Sequence, residues 1–442
     1  MEITKKLAEF ITLTRFDDFS EEVKNEAKLC FLDWLGVALA GSNDNEVNSL
    51  FEVIELVGGK EQATILGKNI KTSVLNATLL NGMSSHVLDF DDTSVEFLGH
   101  PSVTIFPCLL ALSEWKEKSG REFLTAFIIG YEIGCRVALG ATANHYLKGW
   151  HGTSTIGHFS STAGSAKLLN LNTEQIVHAL GIAGTQAAGI KAVFGTSCKP
   201  FHAGKASFNG LLSALLAKRG FSSVNNILEG EKCFWDVFSS SCVPRKALKD
   251  LGRKWHILKN QYKFHASCHA THAPIEGALK IKKKNNIDPV KIDKIEIHAA
   301  SPTLEIAGKR KPRSGLEGKF SIPYAVASAL LREDTGLAVF SDEMVNDPQV
   351  IKLRDKIEMI PDEKVPLFKT EIIFYVGNQK FQEILNILQI SLDFDEKKKK
   401  IHKKFTSISN SFLNNEKIKE IVSRIENLEQ EKNMIDLINL LI

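Results

Sequence analysis

Cysteine pairs, a secretory signal and membrane-spanning runs are all missing from this chain. Its seven cysteines include no Cys-x-x-Cys pair, and their odd number and loose spacing predict reduced thiols in a reducing compartment. Residues 1–6 (MEITKK) lack the apolar core of a signal peptide, and no uninterrupted apolar run approaches the length that spans a bilayer. These absences predict a cytoplasmic protein with no membrane partner.

An excess of charge of one sign is also absent. Lys and Arg total 55 against 52 Asp and Glu, which leaves a formal net charge of only +3. This balance gives no reason to expect a nucleic-acid partner. The composition, 43% hydrophobic and 24% charged, is that of a globular protein, and 442 residues exceed what a single core usually supports. We therefore expect two domains.

Several common catalytic motifs are incomplete. Residues 150–155 (WHGTST) miss the Gly-x-Ser-x-Gly pattern of serine hydrolases, because Ile156 stands at the second Gly position. Residues 199–205 (KPFHAGK) miss the phosphate-loop spacing, because Lys199 stands at the first Gly position and Ala206 at the last position. No dinucleotide fingerprint occurs. Hydrolase and nucleotide-binding chemistry are therefore disfavoured.

The first part of the chain, residues 1–265, has the pattern of a helical domain. Residues 18–21 have the spacing of a capping box, and apolar residues then recur every three or four positions as far as Ala38, before Gly41. Similar apolar periods separated by small residues predict further helices at residues 109–115, 123–138, 162–169, 176–188 and 206–217. The many Ala, Gly and Ser residues predict close helix packing.

The character changes after about residue 265. Residues 294–298, 356–360 and 370–376 have the alternation of half-buried strands, and predicted helices at 275–284, 324–331 and 347–356 lie among them. Residues 266–402 are therefore predicted to form an α+β domain. Residues 403–442 are helical again, and we expect them to return to the first domain. The predicted fold class is mainly α, a large all-helical domain with a smaller α+β domain.

Residues 86–93 (HVLDFDDT) concentrate three carboxylates, Asp89, Asp91 and Asp92, and His100 follows closely. Like charges resist burial unless cations, donors or a ligand compensate them. The segment lacks the Asp-Asp-x-x-Asp spacing of magnesium diphosphate sites and the EF-hand pattern. We expect Asp89 and His100 to take part in acid–base catalysis, while Asp91 and Asp92 hold the loop. The alternative is an exposed loop whose aspartates cap helices.

His151 and Lys199 supply positive charge in later segments. Small hydroxyl residues after His151 open a helix, and helix N-termini bind anions. Lys199, beside a rigid proline, suits the neutralisation of a substrate carboxylate. The alternatives are a plain helix cap at His151 and a surface lysine at Lys199.

Cys268 and His272 lie one helical turn apart, a spacing that can bind zinc or form a Cys–His nucleophile. No second pair of matching spacing exists, so we predict no metal site. An acid–base role of His272 is the preferred interpretation.

These segments together resemble the MmgE/PrpD family. The similarity runs through residues 31–36 (FLDWLG), 86–93, 99–102 (GHPS), 199–205, 268–272 (CHATH) and 319–324 (KFSIPY). The family includes 2-methylcitrate dehydratase, cis-aconitate decarboxylase and iminodisuccinate epimerase. The resemblance implies a helical domain built from both chain ends, a smaller α+β lid domain, a homodimer, and no metal or organic cofactor.

The resemblance also implies a substrate pocket. Its catalytic residues would be Asp89, His100, His151 and His272, and its substrate-binding residues Thr93, Lys199, His269 and Tyr324. His269 and His272 compete for one family position, and the Thr93–His100 spacing is closer to the epimerase-like branch than to the decarboxylases.

The shared chemistry is proton transfer at the carbon next to a carboxylate. We therefore predict a cofactor-independent lyase that acts on a small di- or tricarboxylate, with dehydration as the first choice. Epimerisation of a substituted succinate and decarboxylation of a cis-aconitate-type substrate remain alternatives. A catalytically silent, metabolite-binding homodimer is the alternative from outside the enzymes.

Overall fold

The computed structural model describes residues 2–366, 368–389 and 392–441, and the chain divides into two compact units. The first unit combines Met1–Tyr262 with Lys398–Ile442, and the second is Lys263–Lys397. The first is built largely from helices, and the second contains helices and a four-stranded sheet. The predicted fold class, mainly α with a smaller α+β part, is confirmed.

The N-terminal part of the first unit is a succession of helices. They are α1 (Ile3–Leu13), α2 (Glu21–Gly41), α3 (Asn45–Val57), α4 (Val74–Val87), α5 (Ser102–Lys116), α6 (Gly120–Ala141), α7 (Ala143–Leu147), α8 (Gly152–Leu168), α9 (Thr173–Gln186), α10 (Cys198–Lys218) and α11 (Phe234–Phe238). A short antiparallel hairpin, β1 (Ala63–Ile65) with β2 (Ile70–Thr72), lies between α3 and α4 and was not predicted.

The predicted helix after residue 18 exists, but its predicted cap was wrong. The hydroxyl of Ser20 accepts the backbone N–H of Val23 at 3.4 Å, so α2 begins at Glu21. Asp18 instead accepts the N–H of Arg15 at 2.7 Å and closes the preceding turn. Two neighbouring Asx/Ser caps compete in this segment, and spacing alone did not distinguish them.

The second unit places helices beside a mixed sheet. Its helices are α12 (His272–Asn285), α13 (Ser301–Ala307), α14 (Gly315–Gly318), α15 (Ile322–Arg332), α16 (Asp342–Val345) and α17 (Pro348–Arg354). Its strands are β3 (Lys294–Ala299), β4 (Ile357–Pro361), β5 (Lys369–Val376) and β6 (Gln379–Asn386), in the order β4-β3-β5-β6. β3 pairs in parallel with β4 and antiparallel with β5, which pairs antiparallel with β6. The three predicted strands are confirmed, and β6 was missed.

The chain then continues through α18 (Phe394–Ser409), α19 (Asn415–Glu426) and α20 (Met434–Ile438). Ile418, Ile421 and Ile425 of α19 are buried, as their predicted helical spacing requires. In the first unit, α8 packs against α5, α6 and α10, and α10 packs against α4.

Two glycines allow α4 and α10 to approach closely. A Cβ atom on Gly82 would lie 2.5 Å from Cα of Gly204, so no larger side chain fits at this crossing without a shift. The contact brings the end of α4 beside the beginning of α10. The acidic segment follows α4 directly, and Lys199 is the second residue of α10, so this packing positions the groups of the candidate site.

One helix, α6, is long and apolar enough to cross a membrane by length and composition alone. In the structure, 94% of the most apolar 18-residue stretch of this helix is buried inside the protein. Glu132 and Arg136 interrupt the apolar run and pair with each other, with Nε of Arg136 2.6 Å from Oε1 of Glu132. These features are those of a core helix.

Candidate active site

Asp89 and Lys199 form a nearly buried ion pair at the centre of the candidate site. Nζ of Lys199 lies 2.6 Å from Oδ1 of Asp89, and the two side chains are only 11% and 10% exposed. Asp89 has a positive φ of 51°, a conformation that Asp adopts more readily than most residues. The sharp turn after α4 thus directs this carboxylate to the start of α10.

Asp91 lies between two imidazole rings. Nδ1 of His86 is 3.0 Å from both of its carboxylate oxygens, and Nδ1 of His100 is 2.9 Å from Oδ2. Burial alone would raise the pKa of this carboxyl, but the two histidines hold the pKa well below its usual value. Asp91 is therefore an ionised carboxylate with two imidazole donors.

Asp92 has a different role from its neighbour. Its carboxylate accepts the hydroxyl of Ser102 at 2.6 Å, the backbone N–H of Ser102 at 3.3 Å, and the amide of Asn260 at 2.9 Å. Burial raises the pKa of Asp92 to about 7, although Ser102 opposes the shift. Asp92 ties the acidic segment to the first residue of α5, which agrees with its predicted role of holding the loop.

Thr93 and His100 lie at the two ends of a small loop. Thr93 and Gln261 exchange backbone hydrogen bonds of 2.8 and 2.9 Å, and the hydroxyl of Thr93 donates to the carbonyl of Gly99 at 3.2 Å. The N–H of His100 donates to the hydroxyl of Thr153 in α8 at 3.1 Å. A Cβ on Gly99 would lie 2.5 Å from the nitrogen of Thr153, so this glycine permits the loop to dock on α8.

His151 lies just before α8, next to the same group. Its Nδ1 is 3.0 Å from Nδ1 of His202, so one ring donates and the other accepts. Its ring is nearly parallel to that of His86, with centroids 6.2 Å apart, and meets Phe194 edge-on. The predicted site residues of the first unit therefore belong to one cluster of contacting side chains or lie directly beside it. They are Asp89, Thr93, His100, His151 and Lys199.

Burial keeps two histidines of this cluster uncharged. Burial, followed by repulsion from His86 and Lys199, holds the pKa of His151 well below its usual value. Burial also lowers the pKa of His86 to about 4, despite the opposing effect of Asp91. Both rings are neutral near pH 7. Because His86 and His151 are neutral, Lys199 faces the carboxylates of Asp89 and Asp91 without an excess of positive charge, so a substrate carboxylate would depend on hydrogen bonds from Lys199 and the imidazoles.

The other predicted site residues, His269, His272 and Tyr324, lie in the second unit. His272 is buried, and its ring centroid is 4.8 Å from that of His265 and 5.2 Å from that of His269. Burial, then His265, His269 and Lys263, hold the pKa of His272 well below its usual value. Their assignment to a pocket with the residues of the first unit remains a prediction.

Tyr324 is fully buried, and its hydroxyl donates to the carbonyl of Val339. Burial raises the pKa of Tyr324 to about 12. The phenol is therefore protonated at neutral pH, and its substrate-binding role remains a prediction.

Sequence reasoning missed four members of these clusters. His86 and His202 belong to the group in the first unit, while Lys263 and His265 accompany His272 in the second. A signal existed for two of them, because His202 follows Lys199 by one helical turn and His86 opens the acidic segment. Lys263 and His265 gave no such pattern, and only folding shows a lysine there that is 1% exposed.

His86, Asp91 and His100 are also the kinds of residue that hold metal ions. One nitrogen or oxygen atom from each lies within 4.8 Å of the others. However, both Nδ1 atoms face the Asp91 carboxylate at 2.9–3.0 Å, which is hydrogen-bonding distance. A metal at this position would require both nitrogens to lose the protons that they donate. The hydrogen-bonded arrangement fits these residues better.

Fold and site together define a class of protein, one with a buried cluster of histidines, lysine and carboxylates in a helical unit. Comparison with known proteins is more specific. The model of the MmgE/PrpD N-terminal domain matches residues 5–245, and that of the MmgE/PrpD C-terminal domain matches residues 265–430. The chain belongs to the MmgE/PrpD family, as its sequence motifs indicated.

Curated relatives include enzymes with two activities. Cis-aconitate decarboxylase of Aspergillus terreus is 24% identical across 99% of this chain and 96% of its own length. The human cis-aconitate decarboxylase is 28% identical across 83% and 78%. The 2-methylcitrate dehydratase of Escherichia coli is 23% identical across 82% and 78%. Both activities are lyase reactions on small carboxylates, so the predicted enzyme class agrees with these relatives.

Proposed function

We propose that the chain is a lyase that removes water from a small di- or tricarboxylate by proton transfer at the carbon next to a carboxylate. The observation that carries this proposal is the buried cluster in which Lys199 pairs with Asp89 beside neutral His86 and His151. Such a cluster can bind a carboxylate and supply an uncharged imidazole as a base.

The chemistry explains why these groups are needed. A C–H bond next to a carboxylate is a weak acid, and the charge that develops when its proton leaves must be stabilised on the carboxylate oxygens. Lys199 and His151 are suited to contact those oxygens. Asp89, His100 and, from the second unit, His272 are the proposed groups that move the proton, with Thr93, His269 and Tyr324 in binding roles.

Neutral imidazoles favour a reaction that begins with proton removal. Dehydration and epimerisation both begin in this way, whereas decarboxylation begins with loss of carbon dioxide and then needs an acid to protonate carbon. Decarboxylation is the second candidate. The observation in its favour is that the Aspergillus terreus decarboxylase aligns with nearly the whole chain.

The reaction can be identified in one experiment. The purified protein is incubated in deuterium oxide with 2-methylcitrate, citrate, cis-aconitate or a substituted succinate, and the mixture is followed by NMR and by ultraviolet absorbance. Dehydration produces a carbon–carbon double bond conjugated with a carboxylate. Carbon dioxide release from cis-aconitate would instead establish the decarboxylase, and deuterium exchange into a substituted succinate without net loss would establish an epimerase. Binding without turnover would favour the non-catalytic alternative.

The proposal includes a homodimer that works in the cytoplasm without a metal or organic cofactor. All seven cysteines are free thiols, which suits a reducing compartment. Light scattering on the purified protein tests the dimer, and a mass of one chain, 49.0 kDa, would contradict it.

A further inference from the structure

The strongest unexplained feature is the arrangement of His86, Asp91 and His100. Asp91 was expected only to hold the loop, and His86 was assigned no role. Yet the side chains of His86 and Asp91 are fully buried, and that of His100, at 14% exposure, is the only one of the three that reaches solvent. A buried pair behind a partly exposed imidazole is the order of groups found where a carboxylate orients a catalytic histidine.

The hydrogen bonds define which nitrogen of His100 carries a proton. Its Nδ1 lies 2.9 Å from Oδ2 of Asp91 and 2.7 Å from the backbone carbonyl of Asp92. An ionised carboxylate and a carbonyl can only accept, so Nδ1 must donate. A neutral His100 then carries its lone pair on Nε2.

His86 holds the other side of the same carboxylate. By the same reasoning its Nδ1 donates to Asp91, and its buried Nε2 has no hydrogen-bond partner among the residues described. A proton on that buried Nε2 would have no acceptor among the residues described, and burial lowers the pKa of His86 to about 4, so the ring remains neutral near pH 7. Neutral His86 donates a hydrogen bond to Asp91 but does not neutralise its carboxylate. The negative charge of Asp91 therefore acts on His100.

We propose that Asp91, which accepts a hydrogen bond from Nδ1–H of His86, positions the ring of His100 for catalysis. Nε2 of His100 is then the atom that takes the proton from substrate carbon. In this step the C–H bond breaks, an N–H bond forms at Nε2, and the electron pair passes to the adjacent carboxylate. The imidazolium is stabilised by Asp91. Asp91 and His86 are positioning residues, and of these three residues only His100 touches substrate. The proton-transfer step rests on the proposed function, whereas the hydrogen bonds of His86, Asp91 and His100 do not depend on it.

The geometry can be tested without substrate. Nitrogen-15 NMR of histidine-labelled protein, with His100 assigned by its loss in His100→Gln, should show the Nδ1–H tautomer and a downfield Nδ1 proton bonded to a carboxylate. Asp91→Asn should move that proton upfield. An Nε2–H tautomer in the wild-type protein would overturn the inference even if the protein turned over no carboxylate, so this result is separate from a failure of the proposed function.

Kinetics tests the positioning roles. Asp91→Asn should lower kcat by about 100-fold or more while KM changes little, because the loss of a histidine-orienting carboxylate acts on the transition state. His86→Asn, whose amide N–H can replace Nδ1–H, should retain most of kcat, whereas His86→Leu should lose it. Equal kcat values for His86→Asn and His86→Leu, or a near-normal kcat for Asp91→Asn, would contradict the proposal. Circular dichroism identifies any variant that fails to fold. The tautomer spectrum of the wild-type protein and the variants that do fold then test the proposal.

Discussion

Nζ of Lys199 lies 2.6 Å from Oδ1 of Asp89, although the two residues are separated by 110 positions in the chain. Neither side chain is more than about one-ninth exposed. A buried ion pair contributes little net stability, because desolvation of both charges offsets their attraction. Its value here is that an incoming carboxylate finds a lysine already held in place.

Replacement of Lys199 by methionine should therefore reduce substrate binding. A charge-assisted hydrogen bond contributes about 1.5–3 kcal/mol, so kcat/KM should fall by about 10- to 100-fold in Lys199→Met. The matched control is Lys205→Met, which removes a half-buried lysine from the same helix that lies over the ring of Phe208. Steady-state kinetics on the identified substrate measures both. Equal losses in the two variants would mean that general charge, and not contact with Lys199, attracts the substrate.

A second prediction concerns the acid sensitivity of the fold. His158 is buried in α8, where its Nδ1–H donates to the carbonyl of Ser154 and its Nε2 accepts the amide of Asn209 at 2.9 Å. Burial lowers its pKa from 6.5 to about 4. Between these pH values the unfolded chain binds a proton that the folded chain does not, so the free energy of unfolding falls as pH falls from about 6.5 to about 4.

This single histidine should remove about 2 kcal/mol of stability between pH 7 and pH 5. His158→Gln removes the titrating group, so its free energy of unfolding should decline less over this interval than that of the wild-type protein. Urea unfolding at both pH values measures the difference. Because His86 and His151 also have lowered pKa values, the variant should retain part of the slope. Identical slopes in variant and wild type would contradict the assignment.

The structure shows why some features could be predicted from the sequence and others could not. Helix α19 was found because it buries a face that recurs every three to four residues, at Ile418, Ile421 and Ile425. The same apolar spacing marked α2, although every residue of α2 from Glu26 to Leu39 is buried. β6 was missed because it is an edge strand in which no residue from 379 to 386 is fully buried, so its sequence lacks the alternation that marked β3.

The candidate site shows a similar division. Composition and motif identified the acidic segment and assigned Asp89 to the site, but they did not indicate that Asp91 contacts two histidines. That depends on the positive φ of Asp89, which turns one carboxylate toward Lys199 and leaves the next, Asp91, between two histidines. Lys263 joins its cluster only through folding and burial, which the local sequence does not indicate, whereas the spacing of His202 after Lys199 was a signal that went unused.

The crossing of α4 and α10 gives a third prediction. Gly82→Ala would put a Cβ atom 2.5 Å from Cα of Gly204 and force the helices apart. Overpacking of this kind costs about 1–3 kcal/mol of stability. Activity should also decline, because α4 ends at the segment of Asp89 and α10 begins beside Lys199. The control is Gly336→Ala, where φ is −75° and the nearest atom, 3.2 Å away, is a carboxylate oxygen of Asp334. Thermal unfolding and kcat/KM should change in the first variant and not in the second.

The last prediction concerns metal removal. His86, Asp91 and His100 are close enough to hold an ion, but a divalent cation there would have to displace two N–H···O hydrogen bonds. It would also be repelled by Lys199, whose charge already lowers the pKa of His86. Prolonged treatment with a strong chelator should therefore leave kcat and KM unchanged, with metal content measured before and after by mass spectrometry. Loss of activity on chelation, with recovery on addition of one stoichiometric metal, would show that the two Nδ1 atoms are ligands and not donors. The same result would remove the tautomer on which the role of His100 depends, so the chelation experiment and the NMR experiment must agree.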